Sequence, residues 1–247
     1  MIATTAAIIL QVRKFGDTSK IIQAYTEQFG KISLLAKGAR SPKSKFGGAL
    51  EQLGQATLTF YKKPNRDLHL LSKAEIAVAR RALGESYERL TAGLAIAEAI
   101  ESSQESEEHN PLLFQLVAVA LDALAAAERN EYSVVVSFQI RLAELMGFSL
   151  TLDCEGAMRE PRTEYRFSFA EGAVLSPRDY RVPTASWVFS PEEYTILHAL
   201  SLRDISVAAE VRQSAEQKAK IHDFLARYFQ FHIEKKMRYQ THTLLLG

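Results

Sequence analysis

Gly30-Lys31-Ile32-Ser33-Leu34-Leu35-Ala36-Lys37-Gly38-Ala39-Arg40-Ser41-Pro42-Lys43-Ser44-Lys45-Phe46-Gly47-Gly48 changes character halfway along. Ile32, Leu34 and Ala36 alternate with Lys31, Ser33 and Lys37, the period of two expected of a half-buried strand. From Lys37 onward four cations (Lys37, Arg40, Lys43, Lys45) are spaced by Gly, Ser and Pro, which keep a chain out of helix and strand. A strand therefore feeds a cationic loop with an aromatic, Phe46, at its end.

Period two continues on both sides. Ile8, Leu10 and Val12 alternate with Gln11 and Arg13, and Ala56, Leu58 and Phe60 with Thr57, Thr59 and Tyr61. Turn signals stand at Phe15-Gly16-Asp17, Gln28-Phe29-Gly30 and Lys62-Lys63-Pro64-Asn65-Arg66-Asp67. The pattern predicts strands near 6–14, 19–27, 30–37, 53–62 and 68–75. Five short strands and one longer loop fit a small closed barrel of the oligonucleotide-binding (OB) kind, aliphatics inside and cations on the outward face and loop tips.

Charge is polarised along the chain. The formal net charge is +1, yet residues 1–80 hold 13 Lys/Arg against 5 Asp/Glu, and residues 82–160 hold 4 against 14. The first block suits a polyanion and the second a different task. Lys37, Arg40, Lys43 and Lys45 are expected on phosphates, extended by Arg13, Lys14, Lys62, Lys63 and Arg66 at strand ends. Phe46, Tyr61 and Phe15 are candidates to stack on bases, each worth roughly 1–3 kcal/mol if they do, while Phe60 falls on the inward register. Such contacts carry no base code. A second basic area, Lys218, Lys220, Arg227, Lys235, Lys236 and Arg238, is a candidate for a second strand.

After Ile76 the period becomes helical. A segment near 77–101 is Ala-rich, with expected breaks at Gly84 and Gly93. Asn110-Pro111 starts a helix carrying Leu116, Val117, Ala120, Leu121 and Leu124. Another carries Val134 to Met146 and ends at Gly147. Ser190-Pro191-Glu192-Glu193 is a capping-box start, and Ile221, Phe224, Leu225, Tyr228 and Phe229 stripe a last helix near 214–237. Between Ser149 and Trp187 the helical period fails, and a small irregular β insert is expected. The resulting layout is α+β: a barrel at 1–78, helices at 79–148, the insert at 149–188 and helices again at 189–247.

Apolar content of 47% supports real cores, and a single Cys excludes an intrachain disulfide. No stretch reaches the roughly 18 apolar residues of a membrane span, and the N-terminus lacks a secretory n-region; a cytoplasmic, nucleoid-associated protein is expected. The chain has no G-x-x-x-x-G-K-[ST], H-E-x-x-H or G-x-S-x-G, so catalysis is not expected. Glu105, Glu107 and Glu108 read as a solvated acidic loop. The rival to nucleic-acid binding is a barrel that serves as a protein-interaction adaptor.

The run 30–50, with Gly16-Asp17-Thr18-Ser19-Lys20 before it and Leu58-Thr59-Phe60-Tyr61 after it, resembles the bacterial recombination mediator family RecO. Leu145-Met146-Gly147-Phe148 also falls where that family ends a helix. The resemblance implies an OB barrel, a helical domain and, in many members, a zinc-binding insert. It implies a RecF-pathway role in DNA repair and homologous recombination: binding single- and double-stranded DNA, annealing complementary strands and, with RecR, loading RecA onto DNA coated by the single-strand-binding protein SSB. RecA-coated filaments would be met only indirectly. It further suggests that the helical domain receives the SSB C-terminal tail. Arg129 and Arg141, the only Lys/Arg between residues 90 and 158, are the cations available for it. Zinc-bearing members place two C-x-x-C pairs across the insert. Here those positions are Cys154 and Ala157, then Ser176 and Asp179. No zinc or other cofactor is expected, and aromatics such as Tyr165, Phe167, Phe169, Tyr180 and Trp187 are expected to hold the insert instead.

Overall fold

The computed structural model describes residues 1–63, 66–153, 163–176, 184–233 and 241. Five strands, β1 (Ile2–Phe15), β2 (Ser19–Thr26), β3 (Gly30–Ala36), β4 (Gln55–Tyr61) and β5 (Leu68–Val78), close into a barrel in the order β1-β2-β3-β5-β4. Closure is made by the only parallel pairing of the barrel, in which Ser33, Leu34 and Leu35 meet Leu68, His69 and Leu70. The order and the closure are those of an OB barrel.

Two features of β1 decide which of its side chains fill the barrel: a second core on its outer face and one irregularity in its register. Simple alternation sends Ile8, Leu10 and Val12 inward. Instead Ala7 and Ile9 lie in the barrel core, with Val12 packed against it, while Ile8 and Leu10 join the helical core. The register of β1 on β2 shifts between Ile9 and Gln11. A one-residue bulge there flips the facing of the side chains after it, which turns Val12 to the same side as Ile9; Ala7–Leu10 is buried throughout because both faces of β1 are covered. Ile32, Leu34, Ala36, Ala56, Leu58 and Phe60 do point inward. The β3–β4 connection returns to the barrel at a short 3-10 turn, Gly47–Leu50, and Phe46, Ala49 and Leu50 plug one end.

The segment expected as a broken helix near 77–101 begins as strand: β5 runs to Val78, a 3-10 turn covers Arg81–Glu85, and α1 is Tyr87–Ser103, capped by Ser86. Gly93 is no break. It lies inside α1, where an added Cβ would sit 2.6 Å from Leu53 Cδ1, so its role is to let helix and barrel approach. Helices α2 (Pro111–Ala126), α3 (Glu131–Leu145), α4 (Pro191–Leu202) and α5 (Ala215–His232) follow. Asn110 caps α2, and capping boxes at Ser190–Glu193 and Ser214–Gln217 start α4 and α5. From Glu131 to Ile140 every residue of α3 is buried, which makes it the central rod of the helical domain.

Arg80 ties the two parts together. Its side chain is 2% exposed; Nε donates to Asp122 Oδ1 of α2 at 2.7 Å, and Nη2 to Gln55 Oε1 at 3.2 Å and to the Ala118 carbonyl at 3.4 Å. Arg80→Ala is expected to cost about 2 kcal/mol. Buried acceptors lose their donor, but Asp122 is exposed enough to rehydrate rather than remain a buried unpaired charge. Chemical denaturation of the variant checks this.

The insert contributes β6 (Tyr165–Ser168), β7 (Ala173–Val174) and β8 (Ser186–Phe189), ordered β7-β6-β8. Aromatic rings bind it to α4 and α5. Tyr165 stacks on Tyr194 with centroids 3.8 Å apart, Phe167 meets Phe224 at 5.2 Å and Tyr228 at 5.3 Å, and Phe169 meets Tyr228 at 5.6 Å. Trp187 lies 6.0 Å from Phe224. Burial pushes the Tyr228 hydroxyl up to about 12; it donates to the Phe148 and Ser149 carbonyls. Tyr180 lies outside the described residues, as do Cys154, Ala157 and Asp179; Ser176 is half-buried. One thiol, one hydroxyl and one carboxylate do not supply the four thiolates of a structural zinc site, and no cluster of three His, Cys, Asp or Glu side chains suited to a metal occurs among the described residues.

Candidate nucleic-acid interface

Three segments distant in sequence form one cationic track. Arg13, Lys14 and Phe15 end β1 beside the turn to β2, where Lys14 pairs with Lys20. Arg40 fastens the β3–β4 loop to this hairpin: its backbone N–H donates to the Thr18 carbonyl at 2.8 Å and its guanidinium to the Gly16 carbonyl at 3.1 Å. Three residues earlier, Lys37 leaves β3 and lines an open groove of about 520 Å³ with Lys63, Arg66 and the apolar Leu35, Leu68 and Leu70. Hairpin tip, long loop and β4–β5 turn thus share one surface. Arg13, Lys14, Lys37, Arg40, Lys43, Lys45, Lys63 and Arg66 are all exposed. Among the described residues the ion pairs fall elsewhere, so the charge of these eight is available to an outside anion.

Of the aromatics, Phe15 (49% exposed) and Tyr61 (43%) can offer a face to a base. Tyr61 pairs with Leu70, one of the groove residues. Phe46 cannot: it is 3% exposed within the barrel core, and what it offers the loop is a ring 5.3 Å from Lys45 Nζ. The glycines on either side of the cationic run give no hint of this; the barrel needs a plug, and the nearest large apolar residue supplies it.

Lys62 also departs from its expected role. Its Nζ lies 2.6 Å from Glu107 Oε2 and 4.9 Å from the centre of the Phe29 ring. Glu107 Oε1 is 3.0 Å from Nε2 of His69, a side chain 1% exposed and stacked on Phe60. The acidic segment is accordingly not a free solvated loop at Glu107: Ser106 bridges to Lys31, and the Glu107 backbone N–H donates to the Lys31 carbonyl at 2.9 Å. The hydrogen bond from Lys62, then that from His69, holds the Glu107 carboxyl below the usual carboxylate value. A lowered value means the pairing is complete above the ordinary glutamate range and is lost as pH falls through the folded-state value, so it is intact at neutral pH. Neither His69 nor Lys31 stands out in sequence.

In the helical domain, Arg141 is committed to structure. Its guanidinium donates to the Ser137 carbonyl and Oγ, to the Leu200 carbonyl and to the Arg203 carbonyl, closing the C-terminal end of α4. Burial lowers its pKa. Arg129 is exposed in the α2–α3 turn. In the second basic area, Lys220 pairs with Glu193 and Glu216, and Arg227 pairs with Asp223 and lies 5.3 Å from the Trp187 ring. Lys235, Lys236 and Arg238 lie outside the described residues.

Comparison with known proteins agrees with the architecture. Residues 1–80 match the family model for the N-terminal part of recombination protein O, and residues 84–240 match the model for its C-terminal part. The DNA repair protein RecO of Prosthecochloris aestuarii is 29% identical over 245 residues, covering 95% of this chain and 93% of that protein. That of Salinibacter ruber is 34% identical over 173 residues, 70% of this chain and 66% of its own length. That of Chlorobium limicola is 27% identical over 248 residues, 96% and 95% respectively. With both halves matched and the barrel-plus-helices layout in place, the chain belongs to the recombination protein O family, whose work is DNA repair and recombination.

Proposed function

We propose that the barrel binds single- and double-stranded DNA without reading sequence, that it anneals complementary strands, and that with RecR it loads RecA onto SSB-coated single strands, none of this by catalysis. The observation that carries the reading is the pair of hydrogen bonds from Arg40 to the β1–β2 turn. They draw the loop cations onto the hairpin cations, so a backbone can pass from Arg13 and Lys14 over Arg40 to Lys37, Lys63 and Arg66. Spaced Lys and Arg on exposed loops neutralise phosphates and release counterions. Phe15 and Tyr61 add sequence-tolerant stacking. Annealing needs no energy source, because two strands with neutralised phosphates repel each other less. For the SSB tail, acidic and apolar, Arg129 is the exposed one of the two cations between residues 90 and 158; Arg141 does not support that role.

Fluorescence anisotropy of labelled oligonucleotides across a NaCl series tests the DNA reading. The expected result is a steep linear fall of log affinity with log salt, the same for unrelated base sequences. Negligible binding at low ionic strength, or affinity indifferent to salt, would sink it in favour of a protein-binding barrel.

A further inference from the structure

The Glu107 carboxylate sits between an ammonium and an imidazole as a phosphate oxygen pair would. Lys62 Nζ is 2.6 Å from one oxygen and His69 Nε2 is 3.0 Å from the other. His69 Nδ1 is buried with no hydrogen-bond partner among the described residues, so Nε2 is the nitrogen that carries the donor N–H toward the carboxylate. The location matters as much as the contact. His69 lines the groove with Lys37, Lys63 and Arg66, and Lys62 adjoins Lys63. The pair therefore forms the last cationic position at one end of the track, and it is the one position already filled.

The filling segment is held under tension rather than buried. Glu107 has φ +60, a left-handed conformation that disfavours a side chain, and its carboxylate side chain remains 42% exposed. A competing anion can reach the contact, and leaving it relieves the backbone. On the other side the segment is anchored: Lys31 Nζ donates to the Glu101 carbonyl at 2.7 Å, at the end of α1.

Resting on the reading that the barrel binds DNA, we propose that Glu107 is a displaceable phosphate mimic: it occupies the Lys62–His69 position until a strand runs the full track, and its release transmits DNA occupancy to the start of the helical domain. A short or weakly held strand stops at Lys63 and Arg66. A fully seated one exchanges carboxylate for phosphate and frees residues 104–109.

Anisotropy with labelled oligo-dT across NaCl, using wild type, Glu107→Gln, Lys62→Gln and the double variant, decides the matter. Glu107→Gln should bind about three- to ten-fold tighter near 0.1 M salt, because the phosphate that reaches Lys62 no longer has to displace a carboxylate. Lys62→Gln alone should change little and should abolish the gain in the double variant. Glu128→Gln, the same charge change at an exposed site, should have no effect. On wild type, hydrogen exchange of residues 104–109 should speed up when oligo-dT is added. If wild type binds with a steep slope while Glu107→Gln matches its affinity, if the gain survives Lys62→Gln, or if exchange is unaltered by oligo-dT, the mimic is overturned and the DNA reading stands. If wild type does not bind, both fall together.

Discussion

Replacing Arg40, Lys43 and Lys45 together by Gln should weaken single-strand binding about 100-fold near 0.1 M salt. Each phosphate contact on a single strand contributes about 0.7 to the slope of log affinity against log salt, so relative to a 1 M reference each is worth about 0.7 log units at 0.1 M. Three contacts give a loss of about two logs, and the slope itself should flatten by about two. The fold should be unaffected. All three side chains are exposed, and the Arg40 backbone N–H, which the substitution keeps, still donates to Thr18. Annealing of complementary strands should fall in parallel, on bare and on SSB-coated DNA. An unchanged slope in a variant that melts like wild type would mean that the strand follows another face of the barrel.

Much of the barrel was legible in sequence because period two and turn residues are local signals. β2, β3 and β4 lie within two residues of where the alternation puts them, and the caps at Asn110 and Ser190 mark true helix starts. What escaped depends on contacts between distant segments. The inward set of β1 was assigned wrongly because a bulge is invisible to alternation and because Ile8 and Leu10 have a second core to enter. Gly93 looks like a helix break until Leu53 is seen against it. At the site the pattern is the same. The loop cations are legible because Lys37, Lys43 and Lys45 are exposed and join no ion pair among the described residues. The burial of Phe46, the Glu107 pairing of Lys62 and the structural bonds of Arg141 escape the pattern because each side chain meets a partner far away in the chain: the barrel interior, Glu107, and the end of α4.

Gly30→Ala is expected to destabilise the protein by about 3–4 kcal/mol, the sum of a left-handed penalty and an overlap that cannot relax by side-chain rotation. Gly30 has φ +61, and an added Cβ would lie 2.0 Å from the Glu108 carbonyl oxygen and 2.5 Å from its carbon. The β2–β3 turn cannot yield easily. Thr26 Oγ1 donates to the Gly30 carbonyl at 2.8 Å and accepts from the Phe29 N–H at 3.0 Å, with Thr26 and Gly30 both buried. The segment carrying Glu108 must therefore lift, and with it the contacts of Ser106 and Glu107 to Lys31. Gly38→Ala isolates the overlap: that glycine has φ +71 with nothing within 4 Å of the added carbon, so only the conformational penalty of about 1–2 kcal/mol applies. Thermal melting should show Gly30→Ala well below Gly38→Ala. Lifting the segment also uncovers Lys62, so the surviving folded fraction of Gly30→Ala should show the tighter binding expected of Glu107→Gln. Equal melting of the two alanine variants would mean that residues 104–108 do not rest on the barrel at Gly30, and the link between DNA track and helical domain would have to run through Arg80 instead.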